Sequence, residues 1–566
     1  MAAEPSFLPF TIPELNSRNM RIGREDLLRR SYSVVPDDFI RIRQNETLHL
    51  EVEFRQEETP LQVLLHTNID CGPEEWQDLE FKQERNNTYR LSYQVRSCGS
   101  FKFKLKYSPD EGETWYWDRV PFSHVIVDPE ALPDIRMYTL IPRVSGTIND
   151  WLELLPHITG LGFNALHLLP ITSLDLSQSP YAAADLFSIE RAYTGQGDCT
   201  GFTDFARFIE KARERGIRLC FDLVLNHIGA GSQMVQQCPE WIVPDRSEKD
   251  GLKRAGCWHM NKWLKWEDLV KIYYDHPHPG IRRDIWNYMK KYALFWSHFA
   301  NLTGGMIRLD NLHASHEGFI TQLLAELRAA YPNLIISAEF FTDFNTILKK
   351  AAEGQINLFS ANQWEYPYAE DLRNYLRYIH KTGRQVCYYL PVTTHDTGAP
   401  AQLFGKAEAA VPRYAVTALM GTGQTGIVQG VEYGHPEKVA FIGPAEKLAF
   451  PENKAITEGI RSINRIFTEA MVFHRPGNLE FIDSGHGAVL GAWRRASREN
   501  EASYLIFANL DVRQGYCLPL DLSCLVPEGE KIRLEDRMHG SRLEVIGTQT
   551  EIDLEPCGVK VFRVSN

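Results

Sequence analysis

The chain of 566 residues lacks the sequence features of several large protein classes. It has no cluster of basic residues, and 61 Lys and Arg against 73 Asp and Glu give a net charge of −12. This balance argues against nucleic acid or an anionic membrane surface as a partner. The sequence also has no run of eighteen apolar residues, so no membrane-spanning helix is expected.

Disulfide frameworks, zinc sites and secretion signals are missing as well. The ten cysteines are scattered without CxxC spacing, which is typical of reduced, mostly buried thiols in a chain of this length. The first residues, MAAEPSFLPFTIPEL, have neither a basic region nor an unbroken apolar stretch, so we expect a cytoplasmic protein. No Asp-rich loop resembles a calcium-binding hand, and no metal or other cofactor is assigned.

Three compositional regimes follow one another along the chain. Alternating segments such as LHLEVEF, YRLSYQV and FKFKLKY predict an N-terminal β-sandwich domain in residues 1–130. In residues 131–470, short apolar runs alternate with amphipathic stretches, which predicts a catalytic (β/α)8 TIM barrel with inserted loops. Alternation returns in SYLIFANLDV and GVKVFRV, so residues 471–566 are expected to form a C-terminal all-β domain, a second β-sandwich. The predicted fold class is therefore α/β.

Seven apolar runs are candidates for barrel strands: MYTLIP, ALHLLP, IRLCFDLVLNH, GMIRLD, LIISAEF, VCYYLPV and GIVQGVEY. Catalytic groups of such a barrel lie at the carboxyl ends of its strands. Polar residues stand at or just after the ends of four of these runs: Asp222, Asn226, His227, Arg308, Asp310, Glu339, His395 and Asp396. Four carboxylates at the same end of four strands predict a catalytic site.

Arg308 and Asp310 are two residues apart in GGMIRLDNLHAS and would point to the same face of one strand. An adjacent guanidinium favours an ionised carboxylate, so we expect a lowered pKa for Asp310. Glu339 would face other carboxylates in an apolar setting and is expected to retain its proton. For Arg308 and Asp310 alone, a structural ion pair is the alternative.

The segments DLVLNH, GMIRLDNLH, SAEFF and TTHDTG resemble, in this order, the four signature segments of the α-amylase superfamily, glycoside hydrolase family 13. The longer flanks, such as ITGLGFNALHLLPITSLDLSQSPYAAAD and YPNLIISAEFFT, are similar to the 4-α-glucanotransferase half of eukaryotic-type glycogen debranching enzymes. Those enzymes also carry an amylo-α-1,6-glucosidase half, where this chain has a β-domain like that of ordinary amylases. We therefore expect no complete debranching by this chain alone.

The resemblance implies a role for each site residue. Asp310 would be the nucleophile, Glu339 the general acid and base, and Asp396 a third carboxylate that binds sugar hydroxyls and favours ring distortion. Substrate contacts are implied for a further set: Tyr181, Asp222, His227, Arg308, His313 and His395. Asn226 matches a calcium ligand of many amylases, but the debranching-type relatives do not suggest a required ion.

Aromatic residues are a second group of candidates because pyranose rings stack on flat apolar surfaces. Five of them lie between the third and fourth strand candidates: Trp258, Trp263, Trp266, Tyr273 and Tyr274. Most of these rings are expected to pack in the core or in loops instead. Trp364 is a further candidate on the sixth-strand side of the barrel mouth.

These observations predict a retaining enzyme that acts on α-glucan or maltooligosaccharide chains through a covalent glycosyl-aspartate. A 4-α-glucanotransferase is the first hypothesis. Hydrolysis shares the same intermediate, so an α-amylase-type hydrolase is an alternative. A phosphate-using maltosyltransferase and a glucan-binding protein with an inactive barrel are the remaining ones. Neither nucleic acid nor a membrane is expected as a partner, and the oligomeric state stays open.

Overall fold

The computed structural model describes residues 28–30, 39–54, 62–72, 75–85, 88–117, 122–195, 201–259, 262–496, 501–522, 531–546 and 549–565. Their internal contacts define two compact units. The first comprises the described residues of Met1–Leu132 with Arg328–Asn333 and Thr342–Asn357, and the second comprises the rest. The division of the chain at residues 130 and 470 stays a prediction.

The strands of the first unit form two sheets around one core. In chain order they are β1 (Leu28–Arg30), β2 (Phe39–Arg43), β3 (Thr47–Phe54), β4 (Gln62–Thr67), β5 (Gln77–Glu80), β6 (Lys82–Arg85), β7 (Thr88–Gln94), β8 (Gly99–Ser108), β9 (Tyr116–Trp117) and β10 (Ser123–Asp128). One sheet has the order β1-β3-β7-β6, and the other β2-β10-β8-β4-β5 with β9 beside β8. Alternate residues such as Leu48 and Leu50 on β3 and Val63 and Leu65 on β4 point into the shared core. The predicted N-terminal β-sandwich is confirmed.

The strands of the next region are β11 (Ile135–Leu140), β12 (Ala165–Leu168), β13 (Thr172–Leu174), β14 (Ala183–Ile189), β15 (Arg218–Leu223), β16 (His227–Gly229), β17 (Arg254–His259), β18 (Lys262–Lys271), β19 (Met306–Leu309), β20 (Ile335–Ala338), β21 (Leu358–Ser360), β22 (Tyr388–Pro391) and β23 (Gln424–Val428). Among the described strands, eight close into a parallel barrel in the order β11-β12-β15-β19-β20-β21-β22-β23. The others form two insertions, the hairpin β13-β14 and the sheet β16-β18-β17.

Helices follow most of the barrel strands along the chain. They are α1 (Ile148–Gly160), α2 (Phe202–Glu214), α3 (Gln233–Gln237), α4 (Pro279–Asn301), α5 (Glu317–Ala330), α6 (Phe344–Ala352), α7 (Ala369–Thr382), α8 (Pro400–Phe404), α9 (Ala410–Leu419) and α10 (Lys454–Glu469). Helix α2 shows why these segments are helical, because Phe205, Phe208, Ile209 and Ala212 recur at helical spacing and are buried along one stripe. The predicted barrel is confirmed. Strand β21 was not predicted, since three residues are too short for a hydrophobic pattern.

The C-terminal strands are β24 (Leu479–Ile482), β25 (Val489–Arg494), β26 (Ser503–Asn509), β27 (Tyr516–Asp521), β28 (Lys531–Asp536), β29 (Arg542–Ile546), β30 (Gln549–Leu554) and β31 (Val559–Ser565). They form a sheet of order β24-β25-β26-β31-β28-β29 and the pair β27-β30. Leu505, Phe507, Leu518 and Leu520 contribute to their common hydrophobic core. The predicted C-terminal all-β region is confirmed. In the part of the chain that the structure describes, no helix is both long and apolar enough to cross a bilayer.

Buried polar groups join the first and last barrel strands. The hydroxyl of Tyr138 on β11 donates to Glu432 Oε1 over 2.5 Å, and the Gly430 N–H donates to Glu432 Oε2 over 3.0 Å. Gln429 Oε1 accepts from the Ile141 N–H over 2.9 Å. Burial raises the pKa of Glu432 from 4.5 to about 7, although the hydrogen bonds from Tyr138 and Gly430 oppose this shift. Below that pH the buried carboxyl group of Glu432, beside the first and last barrel strands, is therefore neutral.

Glu432→Gln should change how stability depends on pH. The pKa of Glu432 is higher in the folded protein than in the unfolded chain. Its contribution to stability is therefore complete below pH 4.5 and is lost as the pH rises to about 7. The amide of the variant cannot titrate, so the variant should gain about 3 kcal/mol relative to wild type across that interval. Denaturant unfolding at pH 4.5, 6 and 8 measures the difference, with the exposed Glu458→Gln on α10 as the control. Parallel curves for Glu432→Gln and wild type would contradict the buried titration.

Candidate active site

A single guanidinium lies among carboxylates from three barrel strands. Arg308 Nη1 is 2.6 Å from Asp222 Oδ2 and 3.3 Å from Asp310 Oδ1. Its other terminal nitrogen, Nη2, is 2.9 Å from Glu339 Oε2. The carboxylates of Asp310 and Glu339, which the sequence assigned to the chemistry, therefore contact the same cation at the barrel mouth.

Strand register explains why these residues meet. Asp222 on β15 pairs with Arg308 on β19, which pairs with Ser337 on β20. The ladder extends one residue beyond the strands, because the Asp310 N–H donates to Leu223 O over 3.1 Å and the Glu339 N–H donates to Leu309 O over 3.0 Å. Neighbouring parallel strands thus place their terminal side chains at one edge.

Asn311 turns the chain away directly after Asp310. Its φ of 43° lies in the left-handed region, which asparagine tolerates better than most residues. In this conformation the Asn311 N–H donates to Glu339 Oε2 over 3.0 Å, and the Leu312 N–H donates to Glu339 O over 3.0 Å. The turn after the predicted nucleophile therefore also holds the predicted acid in position.

Tyr181 and His395 form one wall of the site. Their rings are nearly parallel, at 10° with centroids 5.7 Å apart. The Tyr181 hydroxyl donates to Asp222 Oδ2 over 2.9 Å and lies 2.7 Å from His395 Nε2. That nitrogen is also 3.1 Å from Asp396 Oδ2. Through these contacts Asp396 joins the group around Arg308.

The protonation of the site differs from the sequence-based expectation for Asp310. Burial raises the pKa of Asp310 well above its ordinary value, and the neighbouring Glu339 raises it further against the effect of Arg308. The predicted lowering is wrong because Asp310 shares the guanidinium with Asp222 and Glu339, and both of these approach it more closely. Proximity in sequence, two residues apart, therefore does not make Arg308 and Asp310 an exclusive ion pair.

Asp222 is the carboxylate that Arg308 keeps ionised. Burial would raise its pKa, but Arg308 and a hydrogen bond from His167 lower it to about 2. Partial desolvation by the surrounding protein raises the pKa of Asp396 although half of its side chain is exposed, and Arg308 and Lys438 oppose this shift. The pKa of His395 falls well below its ordinary value through burial and the nearby Arg308 charge, so this ring is neutral.

Two predicted substrate-binding histidines have no described contact with Arg308, although the charge of Glu339 opposes the lowering of the pKa of His313 by burial. His227 begins β16, is buried, and meets Trp266 edge to face with centroids 5.6 Å apart. Burial lowers its pKa to about 4 against the opposing charge of Asp268. His313 is exposed on the short 3₁₀ helix Leu312–Ala314. The described contacts join neither ring to Arg308.

The other aromatic candidates divide between packing and exposure. Tyr274 is buried, donates its hydroxyl to Leu225 O over 2.5 Å and stacks on Phe319, so it is a core residue. Trp263 is 48% exposed, and Trp364 faces the cavity at the barrel mouth. Trp258 lies on β17, and its side chain is outside the described part of the structure.

Three residues near the site were missed by the sequence reasoning. His167 Nε2 on β12 lies 3.4 Å from Asp222 Oδ2, and a histidine inside the apolar run ALHLLP was the available signal. Lys438 Nζ donates to Asp396 O over 2.9 Å. Phe441 packs edge to face against Tyr181 and His395. Lys438 and Phe441 follow the last barrel strand and carry no local signal.

One cavity lies at this centre, and two others lie beside the inserted sheet. The first, of about 110 Å³, enters the barrel mouth and is bordered by Arg308, Glu339 and Asp396. The other two have volumes of about 510 and 410 Å³. Both of these share four lining residues: Asn226, Lys253, Lys271 and Ala314.

Asn226 is the residue that matches a calcium ligand of many amylases. Its Oδ1 is buried without a hydrogen-bond partner among the described residues, but these residues contain no group of three or more His, Cys, Asp or Glu residues that could hold a metal ion.

A closed parallel barrel with acidic residues at the carboxyl edge of its strands is a (β/α)8 fold with a candidate site where enzymes of this fold have theirs. The structure of the maltogenic α-amylase AmyB from Thermotoga neapolitana matches with a TM-score of 0.60 and 16% identity, over 77% of this chain and 100% of that one. A cyclomaltodextrinase structure matches with a TM-score of 0.61 and 14% identity, over 95% of this chain and 99% of that one. At these identities the likeness concerns the fold.

Residues 130–243 match the family model described as glycogen debranching enzyme, glucanotransferase domain. An alpha-1,4-glucan:maltose-1-phosphate maltosyltransferase from Cereibacter sphaeroides is 24% identical over 76% of this chain and 67% of its own length. One from Arcanobacterium haemolyticum is 24% identical over 65% of this chain and 55% of its own length. The chain thus spans about half to two thirds of these relatives. The resemblance to the α-amylase superfamily and to the debranching-type glucanotransferase domain is confirmed.

Arg308→Met should destabilise the protein strongly. Removal of one partner of a buried ion pair costs about 3–5 kcal/mol because the remaining charge is uncompensated, and the Asp222 side chain is fully buried. Arg308→Met/Asp222→Asn should recover part of that loss. Urea unfolding measures both variants, with Arg495→Met, which removes an exposed pair to Glu480, as the control at less than about 1 kcal/mol. An Arg308→Met loss as small as that of the control would show that Arg308 does not balance the site.

Proposed function

We propose that this chain is a retaining enzyme of α-1,4-glucans, and specifically a 4-α-glucanotransferase. The observation that carries the proposal is the shared contact of Asp310 and Glu339 with Arg308 at the barrel mouth. A retaining mechanism requires two carboxyl groups close together beside the scissile bond. The debranching-type glucanotransferase match over residues 130–243 supports transfer as the outcome.

In the first half-reaction, Asp310 attacks the anomeric carbon of the donor sugar. A bond forms between the Asp310 carboxylate oxygen and that carbon, while the bond to the glycosidic oxygen breaks. Glu339 gives its proton to the departing oxygen, so the leaving chain departs as an alcohol. The product is a glycosyl ester on Asp310 and an ionised Glu339.

In the second half-reaction, the hydroxyl of an acceptor sugar takes the place of the leaving chain. Glu339 removes the hydroxyl proton while the oxygen attacks the anomeric carbon, and Asp310 leaves as a carboxylate. Attack by water instead would give hydrolysis. The cavity of about 510 Å³ runs past Ala314 and Ser315, shortly after Asp310, and offers space for an acceptor chain.

The unliganded site favours a different proton position from the one required for attack. Arg308 Nη2 lies 2.9 Å from Glu339 Oε2, and the Asn311 N–H donates to the same oxygen over 3.0 Å. Asp310 in turn has a raised pKa. We propose that the bound substrate favours an ionised Asp310 and that the proton which Asp310 releases reaches the glycosidic oxygen through Glu339.

The wall of Tyr181 and His395 would hold the reacting sugar. The flat ring of Tyr181 offers a stacking surface, and neutral His395 offers a hydrogen bond to a hydroxyl. Asp396 is 52% exposed in its side chain, so its carboxylate is accessible to hydroxyl groups. These features suit a neutral polyol better than a charged substrate.

Maltosyl transfer involving phosphate is the second candidate function. The maltosyltransferase relatives favour it, and Lys253 and Lys271 border both cavities beside the inserted sheet. No ion pair of Lys253 or Lys271 is present among the described residues, although the charge of Lys253 lowers the pKa of Asp245. In this reaction phosphate would leave from, or attack, the anomeric carbon in place of a sugar hydroxyl.

Product analysis with maltoheptaose separates these activities. Transfer should yield longer and shorter oligomers without a gain in reducing ends, because every bond broken is replaced by a new one. New reducing ends would indicate hydrolysis, and phosphate-dependent formation of a sugar phosphate would indicate the second candidate. An unchanged sample would contradict an enzymatic function. Lys253→Ala/Lys271→Ala should impair only the phosphate-dependent reaction.

Asp310→Asn and Glu339→Gln should both lower turnover of maltoheptaose by at least about a thousandfold. They should differ with α-maltosyl fluoride, since fluoride leaves without a proton. Glu339→Gln should still form the glycosyl-enzyme, detectable as a mass increase of the intact protein, whereas Asp310→Asn should not. Formation of that adduct by Asp310→Asn would remove this residue from the nucleophile role. The reverse pattern would exchange the two assignments.

A further inference from the structure

The N-terminal β-sandwich carries a group of aromatic and polar side chains far along the chain from the catalytic residues. We call it the aromatic face and define it by its members: His66, Trp76, Asp78, Lys104, Lys106, Trp115, Trp117 and Phe122. Its residues lie on strands β4, β5, β8 and β9 and in the segments just before β5, β9 and β10. All of these residues belong to the first compact unit.

Strand register places these side chains on the outer side of one sheet. His66 on β4 pairs with Asp78 on β5 and with Lys104 on β8. Lys106 on β8 pairs with Trp117 on β9. Leu65 and Leu105, the chain neighbours in β4 and β8, point into the sandwich core, so the alternating side chains point away from it.

The rings of the aromatic face are held against one another. His66 stacks on Trp76 with centroids 4.9 Å apart and a plane angle of 5°. Trp117 meets His66 edge to face at 5.2 Å, and Phe122 lies 5.3 Å from Trp76. Trp76 and Phe122 nevertheless remain 40% and 38% exposed. Large rings that are fixed yet exposed form a preorganised surface for a ligand.

Polar groups are interspersed with these rings. Asp78 contacts His66 Nδ1 at 2.8 Å through one oxygen and accepts from Lys106 Nζ at 2.6 Å through the other. Lys106 also lies over the rings of Trp115 and Trp117, at 4.9 and 5.3 Å from their centroids. These polar side chains are therefore held beside the rings, and the charges of Asp78 and Lys106 compensate each other.

We propose that the aromatic face binds a stretch of α-glucan outside the catalytic site. This inference rests on the proposed function, which makes α-glucan the polymer on which the chain acts. The C–H faces of glucose units would pack on Trp76 and Phe122, and their hydroxyls would bond to Asp78, Lys106 and His66. The mixture of rings and hydrogen-bonding groups favours a neutral polyol over a protein, whose interface core is depleted in charged residues.

Binding at this face would hold a branched polymer on the same chain as the catalytic barrel. Tethering through one site raises the effective concentration of glucan ends at the other. The effect should grow with polymer size, because a short oligosaccharide leaves no second segment to bind. Glycogen is therefore the appropriate probe for the face, and maltoheptaose for the catalytic site.

Native gel electrophoresis in gels with graded glycogen measures the binding, with every protein carrying Asp310→Asn to prevent consumption of the polymer. Trp76→Ala/Phe122→Ala should weaken the glycogen-dependent retardation about tenfold, as expected for the loss of two stacking rings. Trp76→Tyr preserves a ring and should retain most of the binding. His49→Ala, on the outer side of the other sheet, is the matched control and should change nothing.

The outcomes separate this inference from the proposed function. Equal retardation of the double variant and the control would overturn the inference, as would an absence of any glycogen effect, the result expected of a protein-docking surface. In the Asp310-containing background, the double variant should turn over maltoheptaose at the wild-type rate. If the wild-type protein showed no turnover but still bound glycogen through Trp76 and Phe122, only the proposed function would be overturned. Circular dichroism and the unfolding midpoint verify the fold, and Trp76→Ser alone repeats the comparison with a smaller loss of packing.

Discussion

The positive charge of Arg308 is the constraint on which the active site depends. Asp222, Asp310 and Glu339 all contact this guanidinium, and carboxylates brought together in a buried site would otherwise repel one another and lose their ionisation. One cation cannot compensate them all. Asp222 is held ionised at the shortest distance, whereas burial and the neighbouring Glu339 raise the pKa of Asp310, which favours a proton on that residue. That proton is what a retaining glycosidase must deliver to its leaving group, so the charge deficit around Arg308 suits the proposed chemistry.

The barrel makes this arrangement possible because it fixes the ends of strands that are far apart in sequence. Parallel pairing of β15, β19 and β20 sets Asp222, Arg308 and Ser337 in one row, and the next residues continue the ladder. The acidic groups are therefore positioned by backbone hydrogen bonds and packed strands, and they need no flexible loop to meet. The insertions after β12 and β15 add Tyr181 and the sheet β16-β18-β17. They shape the surroundings of the active site, whereas the barrel strands fix the positions of the acidic side chains.

Most of the fold could be predicted from the sequence because alternating and apolar runs are local signals. The three-residue strand β21 is too short to give such a signal. The sequence also contained the strand-end carboxylates, which the barrel rule collects at one edge. The sharing of Arg308 could not be predicted, since the distances to Asp222 and Glu339 depend on neighbouring strands. The roles of Phe441 and Lys438 could not be predicted for the same reason, because only folding brings them to Tyr181 and Asp396.

The surroundings of the site bear on whether water or a sugar receives the glycosyl group. Tyr181, His395 and Phe441 pack against one another and cover one side with rings, which limits access of water there. On the other side the cavities beside the inserted sheet are wide enough for several sugar units, and Trp263 lines one of them. An acceptor that stacks in such a cavity displaces water from the path to the glycosyl ester. Under the proposed function, an acceptor bound in such a cavity would favour transfer over hydrolysis.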